Sequence, residues 1–474
     1  MAVSHFKENI SQQVLRIRLW SKNKFDSIDN EIFKKNIQNA IPFWVSAFIT
    51  GFVAVFYAKL FAWAEKGSYY IFSHFSWTLF IITPACFYLA YWIVTWFAPY
   101  ARGSGIPQVT AAIQLTNPKQ NFKVNHLLGL KIILVKIASS LIMIFGGGVV
   151  GREGPTIQIS ASIFKLVNDY LPSWYPKIAK RNMIVTGAAA GLAAAFNTPL
   201  GGIVFAIEEL TKTHFNFFKS ALLAGVIISG LTALNILGPY LYLGYPTLNG
   251  IHLWIIIIVI PIAIISGLGG SQMGKMILYI FERKKSFFNK AGKVIYPIAA
   301  GLIIAAIGYF INVRAIGSGK ELMVASLFTS EKHMEWYMPI LRLIGPIISF
   351  TNGAAGGIFA PALSAGASIG SVVASWFSLT DSESNLMILC GMVGCLTGIT
   401  RSPFTSSILV IEMTNSHNII FHLMLTGIIS NAFANLVSKD SFYDHLKEQY
   451  IHEIEDLDSM LIHDSEKTNT SESK

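Results

Sequence analysis

The sequence predicts an all-α, polytopic membrane protein whose two halves repeat one another. The first observation is composition: 53% of the 474 residues are hydrophobic and only 13% are charged, whereas soluble proteins average about 25% charged residues. The second is a series of long apolar runs, and the third is a block of glycine, proline and glutamate that occurs twice in one register. Too many apolar runs recur, with too few charges between them, for the core helices of a large soluble protein.

The apolar runs set the expected domain boundaries. About 20 residues are needed to cross the hydrocarbon core of a bilayer. We expect a cytoplasmic N-terminal segment or helix at 1–40, membrane repeat 1 at 41–240, membrane repeat 2 at 251–445 and a polar cytoplasmic tail at 446–474. No cleavable signal peptide is expected, because the first strongly apolar run starts only around Ile41. The long runs include Ile41–Ala64, Trp77–Phe97, Leu127–Phe145, Ser220–Leu237, Leu253–Ile280 and Phe421–Val437.

The formal net charge of +10 indicates membrane topology rather than nucleic-acid binding. Lysine and arginine lie mostly in short polar segments between apolar runs, as in Arg16–Lys24, Lys177–Arg181 and Arg283–Lys285. Basic loops beside membrane spans usually face the cytoplasm. We therefore expect a multi-pass protein of the inner or plasma membrane with both termini in the cytoplasm.

An internal duplication joins the two halves. The matching positions keep a constant offset, since 391 − 187, 403 − 199 and 412 − 208 all equal 204. Chance similarity between apolar segments would not keep glycine, proline and glutamate in register. Interrupted hydrophobic segments at matching positions of two repeats predict a binding site near the membrane midplane. The first set is Gly187, Gly191-Leu192, Pro199 and Ile207-Glu208, and the second is Gly391, Cys395-Leu396, Pro403 and Ile411-Glu412.

The most informative stretch is Gly151-Arg152-Glu153-Gly154-Pro155-Thr156, which follows a run of three glycines. A charge at bilayer depth costs roughly 2.5–3.5 kcal/mol on insertion scales, so it is tolerated mainly beside a cavity or an ion path. Pro155 suits the first turn of a helix. The N-terminus of that helix would present free N–H groups to an anion. Glu153 carries its own carboxylate to the same place and would compete with that anion.

Three features are expected to converge on one anion. Ser104, in a glycine loop, offers a hydroxyl donor, the backbone around Ile358 and Phe359 precedes a second helix start, and the loop Arg152–Gly154 supplies further N–H groups. Neutral donors and helix ends bind an ion well enough to dehydrate it, yet let it move on. We therefore predict a site for a conducted anion.

At these residues the chain resembles the CLC family of chloride channels and chloride/proton antiporters, over about residues 40–445. The resemblance rests on three motifs in the family's order. It implies two inverted-topology repeats of tilted and broken helices, and a homodimer with one pore per subunit. The chain looks like a compact bacterial form without C-terminal regulatory domains. The motifs are Gly103-Ser104-Gly105-Ile106-Pro107, Gly151-Arg152-Glu153-Gly154-Pro155 and Gly357-Ile358-Phe359-Ala360-Pro361.

The resemblance also implies roles for individual residues. Ser104 and the hydroxyl of Tyr443 would hold the central ion, and a serine at this place indicates chloride rather than nitrate. Glu153 would be the external gate. Glu209 matches the internal glutamate that transfers protons in the family's antiporters, and Glu208 beside it would be structural.

These expectations favour exchange of chloride for protons across a membrane. Chloride, protons, membrane lipid and a second copy of the chain are the expected partners, with no enzymatic activity, cofactor, metal or nucleic acid. Cys86, Cys390 and Cys395 form no disulfide framework or metal-binding spacing. Two alternatives stay open: a passive voltage- or pH-gated chloride channel of the same fold, and an intramembrane hydrolase with Ser104 as nucleophile. Labelling of Ser104 by a fluorophosphonate would favour the hydrolase.

Overall fold

The computed structural model describes residue 19 and residues 31–211, 219–238, 241–287, 292–329 and 332–472, and the described chain is almost entirely helical. Most of the expected N-terminal segment, 1–18 and 20–30, lies outside the described residues. The α-helices are numbered in chain order: α1 Glu31–His74, α2 Leu79–Phe97, α3 Ile106–Gln114, α4 Val124–Leu127, α5 Leu130–Phe145, α6 Glu153–Asp169, α7 Lys180–Phe196, α8 Pro199–Phe205, α9 Lys219–Leu237, α10 Ile256–Phe287, α11 Gly292–Ala306, α12 Lys320–Phe328, α13 Met338–Thr351, α14 Phe359–Ala374, α15 Asp381–Thr400, α16 Pro403–Thr414, α17 Ile420–Ala434 and α18 Phe442–Glu472.

Seven helical segments of the described chain are long and apolar enough to cross a membrane. The protein is therefore a multi-pass membrane protein. Several other helices are much shorter, among them α3 and α8. Broken helices of this kind are tolerated at membrane depth only where protein covers the backbone or where it lines a cavity. The seven segments are Asn36–His74, Ser76–Phe97, Asn121–Phe145, Ser220–Leu237, Ile256–Lys284, Gly292–Ile311 and Asp381–Thr400.

Small residues let the central helices of each half approach closely. A Cβ added to Gly191 on α7 would lie 2.5 Å from Ser160 Oγ on α6, and one added to Gly391 on α15 would lie 2.1 Å from the carbonyl oxygen of Gly366 on α14. Neither position could accept a side chain without moving the helices apart. Each half therefore packs its central pair of helices through a glycine at the helix contact.

The two halves exchange a matched pair of helix caps. Glu208 accepts hydrogen bonds from the backbone N–H groups of Phe404 and Thr405, at the start of α16, at 3.2 and 2.7 Å. Its repeat mate Glu412 accepts from Leu200 and Gly201, at the start of α8, at 3.1 and 2.7 Å. Carboxylates at helix N-termini satisfy donors that the helix itself leaves unpaired.

The glycine breaks of the two halves meet directly. Gly151 and Gly357 exchange both backbone hydrogen bonds, at 2.8 and 2.7 Å. Gly103 donates to the carbonyl of Ala354 at 2.8 Å and accepts from Gly356 at 3.1 Å. These bridges satisfy the non-helical backbone inside the protein. They also place the starts of α3, α6 and α14 around one point.

Candidate anion-binding site

The Ser104 loop is held by a buried cation. Gly103 and Gly105 have φ values of 62° and 106°, which glycine adopts readily. The carbonyl groups of Ala101 and Gly103 accept hydrogen bonds from Lys136 Nζ at 2.9 and 2.8 Å. Lys136 is fully buried. With these carbonyls turned towards Lys136, the opposite side of the loop is left to the Ser104 hydroxyl.

Two buried hydroxyl groups face each other at the centre of the molecule. Ser104 Oγ and the Tyr443 hydroxyl lie close enough to interact. Neither meets hydrogen-bond geometry with any described partner, and both side chains are about 1% exposed. Buried polar groups are normally satisfied. Two unsatisfied donors in one place therefore suit an anion between them.

Helix α18 brings Tyr443 back to the Ser104 loop. Arg102, just before that loop, pairs with Glu453 of α18 at 2.5 Å, and its guanidinium lies 4.8 Å from the ring centroid of Tyr450. The Tyr450 hydroxyl accepts a hydrogen bond from Gln108 of α3 at 3.1 Å. These contacts join the last helix to the first glycine motif, although 342 residues of sequence separate the last pair.

Ile358 and Phe359 form the start of α14 and lie in the same region. Ile358 is the N-cap residue and Phe359 the first helical residue, and both are buried. The Phe359 ring lies 6.2 Å from the Tyr443 ring and 6.5 Å from that of Phe196. The free N–H groups of this helix start therefore open beside Tyr443, in an aromatic surrounding.

Glu153 is buried at the point where the glycine breaks meet. Its side chain is 1% exposed, and its Oε1 accepts a hydrogen bond from the Tyr242 hydroxyl at 3.2 Å. A Cβ added to Gly151 would lie 2.4 Å from Glu153 Oε2 and 3.4 Å from the backbone nitrogen of Ala360. The carboxylate thus folds back towards the N-terminus of α14. It occupies a position that a free anion could take.

Arg152 and Gly154 flank Glu153 differently. Gly154 is buried against Ser104, and a Cβ added there would meet Ser104 Oγ at 2.2 Å. Arg152 is the N-cap of α6. Its guanidinium extends to the carbonyl of Ala195 at 3.4 Å and lies 6.0 Å from the Tyr242 ring centroid. Gly154 leaves the room that the anion needs, and Arg152 adds positive charge beside Glu153.

Glu209 lies between the interior and the surface. It is in a π-helical segment, Ala206–Thr211, is 4% exposed, and accepts a hydrogen bond from Ser402 Oγ at 2.8 Å. It lines a narrow cavity together with Phe359 and Tyr443. It also lines a surface cleft of about 600 Å³. Glu209 therefore connects open solvent to the Tyr443 side of the site.

Tyr443 lies near both glutamates. The side chain of Tyr443 interacts electrostatically with both Glu153 and Glu209. A carboxylate can carry a proton when neutral and repel an anion when charged, since like charges nearby disfavour ionisation. The arrangement can therefore couple the protonation of Glu153 to the occupancy of the Ser104–Tyr443 centre.

Sequence reasoning missed Lys136, Tyr242 and Ser402. Lys136 lies in the apolar run before the central motif, where a lysine could equally extend to water. Tyr242 lies in a loop about 90 residues after Glu153, with no motif around it. Ser402 precedes Pro403 in the repeat block, where its N-terminal position indicated only a helix start.

Comparison with known proteins gives one consistent answer. The sequence profile of a family described as voltage-gated chloride channel matches residues 86–435. The H(+)/Cl(−) exchange transporter ClcA of Salmonella schwarzengrund is 28% identical over 455 residues, covering 92% of both chains. ClcA of Salmonella agona is similar to the same extent.

Solved structures resemble the fold at lower sequence identity. A slow cyanobacterial Cl⁻/H⁺ antiporter superposes with a TM-score of 0.76 and 23% identity, covering 88% of this chain and 98% of that one. A CLC-type fluoride/proton antiporter gives a TM-score of 0.70 and 21% identity, with the same coverage. The overall fold is thus shared with these structures.

Proposed function

The chain belongs to the voltage-gated chloride channel family, and we propose that it exchanges chloride for protons across a membrane. The family membership confirms the resemblance expected from the three glycine motifs. The all-helical fold of two repeats, inverted relative to each other, is confirmed by the structural neighbours. The observation that supports the exchange proposal is that Tyr443 interacts with two buried carboxylates, those of Glu153 and Glu209. The exchange activity in the names of the ClcA relatives also supports it.

In this proposal Glu153 is both gate and proton carrier. The ionised carboxylate fills the space beside Gly151 and the start of α14. Chloride at the Ser104–Tyr443 centre raises the proton affinity of Glu153, because a second negative charge nearby disfavours the ionised form. Once neutral, the side chain leaves this space and chloride takes its place. One group thereby links the two movements.

Protons reach Glu153 from the cytoplasmic side through Glu209. The wide cleft beside Glu209 supplies protons from solvent, and the narrow cavity leads on to Tyr443. Ser402 holds the Glu209 carboxylate at the boundary between the two. Water is the proposed carrier between Glu209 and Glu153.

Chloride is held by neutral donors in this scheme. Ser104, Tyr443, the N–H groups at Ile358 and Phe359, and the backbone at Arg152–Gly154 together form the anion path. Lys136 stands behind the Ser104 loop, where the carbonyls of Ala101 and Gly103 lie between its ammonium group and the path. Chloride therefore avoids a direct contact with a full positive charge, which would slow its release.

We also propose a homodimer in the inner or plasma membrane, with both termini cytoplasmic. The reciprocal caps bring α8 and α16 together, and large apolar side chains project from both repeats on this side. Crosslinking of Phe404→Cys in native membranes would give a covalent dimer, whereas a monomer would contradict the proposal. The exposed side chains are Leu200, Ile207, Leu231, Phe404 and Ile428.

The exchange proposal is tested in liposomes that contain the purified protein. An outward chloride gradient at equal pH on both sides should drive protons inward, against the proton gradient that this movement builds. An uncoupler should collapse that proton gradient. If chloride leaves while an imposed pH difference stays unchanged, the protein is a passive channel and the exchange proposal is wrong.

A further inference from the structure

Glu153 is covered by a side chain that enters from the loop between α9 and α10. Tyr242 is buried, and its hydroxyl donates to Glu153 Oε1 at 3.2 Å. Its ring packs edge-on against Phe196, with centroids 5.0 Å apart. The other carboxylate oxygen, Oε2, has no hydrogen-bond partner among the described residues. Among the described residues, the Tyr242 hydroxyl is thus the side chain that donates a hydrogen bond to the Glu153 carboxylate.

A lysine supports Tyr242 from the second repeat. Lys320 begins α12, directly after Gly317-Ser318-Gly319, and its Nζ lies 4.5 Å from the Tyr242 ring centroid. A cation over an aromatic face is attracted to the ring, and its charge also favours a phenol that donates its proton strongly. Lys320 interacts electrostatically with Glu153 itself. The start of α12 is held by Glu65, whose Oε1 accepts from the Ser318 N–H at 2.8 Å.

The loop that carries Tyr242 is fixed to the second repeat. The backbone N–H of Leu243 donates to the carbonyl of Met413 at 3.1 Å, and the side-chain amide of Asn418 donates to the carbonyl of Leu248 at 2.7 Å. Both bonds lie just after Tyr242 in the chain. Tyr242 is therefore held in place by repeat 2 while it contacts the glutamate of repeat 1.

The groups around Glu153 oppose the cost of burying its charge. Burial disfavours the ionised carboxylate, whereas the Tyr242 hydrogen bond and two nearby cations favour it. Glu65 offsets part of this positive charge through its interaction with Lys320 and Tyr242. The Tyr57 hydroxyl also lies near Glu153 but pairs with Ser140 Oγ at 2.7 Å. The titratable groups that interact with Glu153 are Arg152, Lys320, Tyr242, Tyr57 and Tyr443.

We propose that Tyr242, supported by Lys320, is a positioning latch that holds ionised Glu153 in the anion path and sets the pH at which transport begins. The latch acts through Glu153 and does not contact chloride in this arrangement. The proposal rests on the proposed function for its coupled form. The latch applies equally if the protein moves chloride without protons, since Glu153 must leave the anion path in both exchange and passive flux.

The test compares the pH dependence of chloride flux in liposomes for wild type and Tyr242→Phe. The phenylalanine keeps the ring packing on Phe196 and removes the hydroxyl. The pH of half-maximal flux should move upward by about one unit, the shift expected when a carboxylate loses one hydrogen bond to its charged form. Lys320→Gln should move the midpoint in the same direction. The ratio of protons to chloride should stay unchanged in both variants.

The chain offers a matched control pair. Lys284 Nζ lies 3.9 Å from the ring centroid of Tyr296, whose hydroxyl pairs with Thr351 Oγ1 at 2.7 Å. This pair repeats the lysine–tyrosine arrangement away from Glu153. Tyr296→Phe and Lys284→Gln should leave the midpoint where it is in wild type. An equal shift in the control pair would overturn the latch, because it would reflect a general loss of packing.

The outcomes separate the latch from the exchange proposal. If wild type moves chloride without protons, exchange is wrong, and the midpoint of chloride flux still tests the latch. If wild type couples the two ions and Tyr242→Phe leaves the midpoint unmoved, the latch is wrong and exchange stands. Should Tyr242→Phe fail to fold, an unmoved midpoint in Lys320→Gln is sufficient to overturn the latch.

Discussion

The two halves of the molecule share a common backbone frame, formed by the matched glycine breaks, buried basic residues and helix caps. They differ in the side chains that this frame carries. Around the glycine breaks the offset is 206, since 357 − 151 and 359 − 153 both equal 206. Gly151 and Gly357 pair with each other across the interface. Two residues further on, repeat 1 has Glu153 and repeat 2 has Phe359. One half therefore supplies the carboxylate, and the other supplies a helix start with an aromatic wall.

Each repeat also has a buried basic residue at a matched position. Lys136 and Arg342 are also 206 residues apart, and both are fully buried. Lys136 donates to the carbonyl of Gly103, and Arg342 donates to that of Gly317 at 3.2 Å. Each cation thus braces the glycine-serine-glycine loop of its own half. The repeat-1 loop faces Tyr443, whereas the serine of the repeat-2 loop has its N–H occupied by Glu65.

The clearest difference between the two halves is at Glu208-Glu209 and the matching Glu412-Met413. Glu208 and Glu412 match at an offset of 204 and cap each other's helices. Their neighbours differ, because Glu209 corresponds to Met413. Matched positions thus build the frame. We propose that the unmatched acids, Glu153 and Glu209, carry the proton chemistry.

The largest expected effect comes from removing the unmatched acid at the centre. Glu153→Ala should abolish proton movement while chloride still crosses, because the carboxylate is the group that carries the proton and blocks the anion. Simultaneous pH and chloride electrode records on liposomes would measure both. The exposed Glu282→Gln is the control and should behave as wild type. Proton movement that persists in Glu153→Ala would contradict its role.

Replacing the second unmatched acid should have nearly the same effect on protons. Glu209→Val removes the carboxylate between the cleft and the inner cavity, so protons lose their route while the anion path is untouched. The same electrode records would show chloride flux with little proton movement. Glu208→Gln, one residue away, should keep the proton-to-chloride ratio of wild type. Equal loss in both variants would show that the segment, and not the Glu209 carboxylate, is what matters.

The matched acids should affect stability instead. Glu208→Gln and Glu412→Gln each weaken a cap on the other half, and losing a helix cap costs roughly 0.5–2 kcal/mol. The two variants should therefore lower the thermal unfolding temperature in detergent by similar amounts. Destabilisation by one variant and not by the other would contradict the claim that the two caps are equivalent.

The smallest expected effect is on anion choice. Ser104→Pro removes the hydroxyl donor that favours a compact halide, so preference should move towards nitrate. Both anions accept a hydrogen bond from this donor, so only the difference between the two bonds counts, and the change should stay below tenfold, or about 1.4 kcal/mol. Reversal potentials in mixed chloride and nitrate would measure it. Ser318→Ala, in the matched loop of repeat 2, should leave the ranking unchanged, and an unchanged ranking in Ser104→Pro would discard the Ser104 assignment.

The sequence predicted the repeated backbone frame better than it predicted the side chains that support the candidate site. Glycine, proline and glutamate at constant offsets follow from local backbone demands, so the repeat could be predicted directly. The role expected of Glu209 came instead from the resemblance to the CLC family. The partners of these residues are set by packing between distant segments. Tyr242 reaches Glu153 only because its loop is fixed to the second repeat, and Lys136 is a brace only because three segments meet. No local pattern encodes either contact.

The central claim is that the Glu153 carboxylate and a halide compete for one place. Anomalous diffraction from crystals grown in bromide tests it directly, for wild type and Glu153→Ala under the same conditions. We predict an additional bromide peak in Glu153→Ala beside Gly151 and the backbone nitrogen of Ala360, where the wild-type carboxylate lies. Identical bromide peaks in the two crystals, with that position empty in both, would contradict the account.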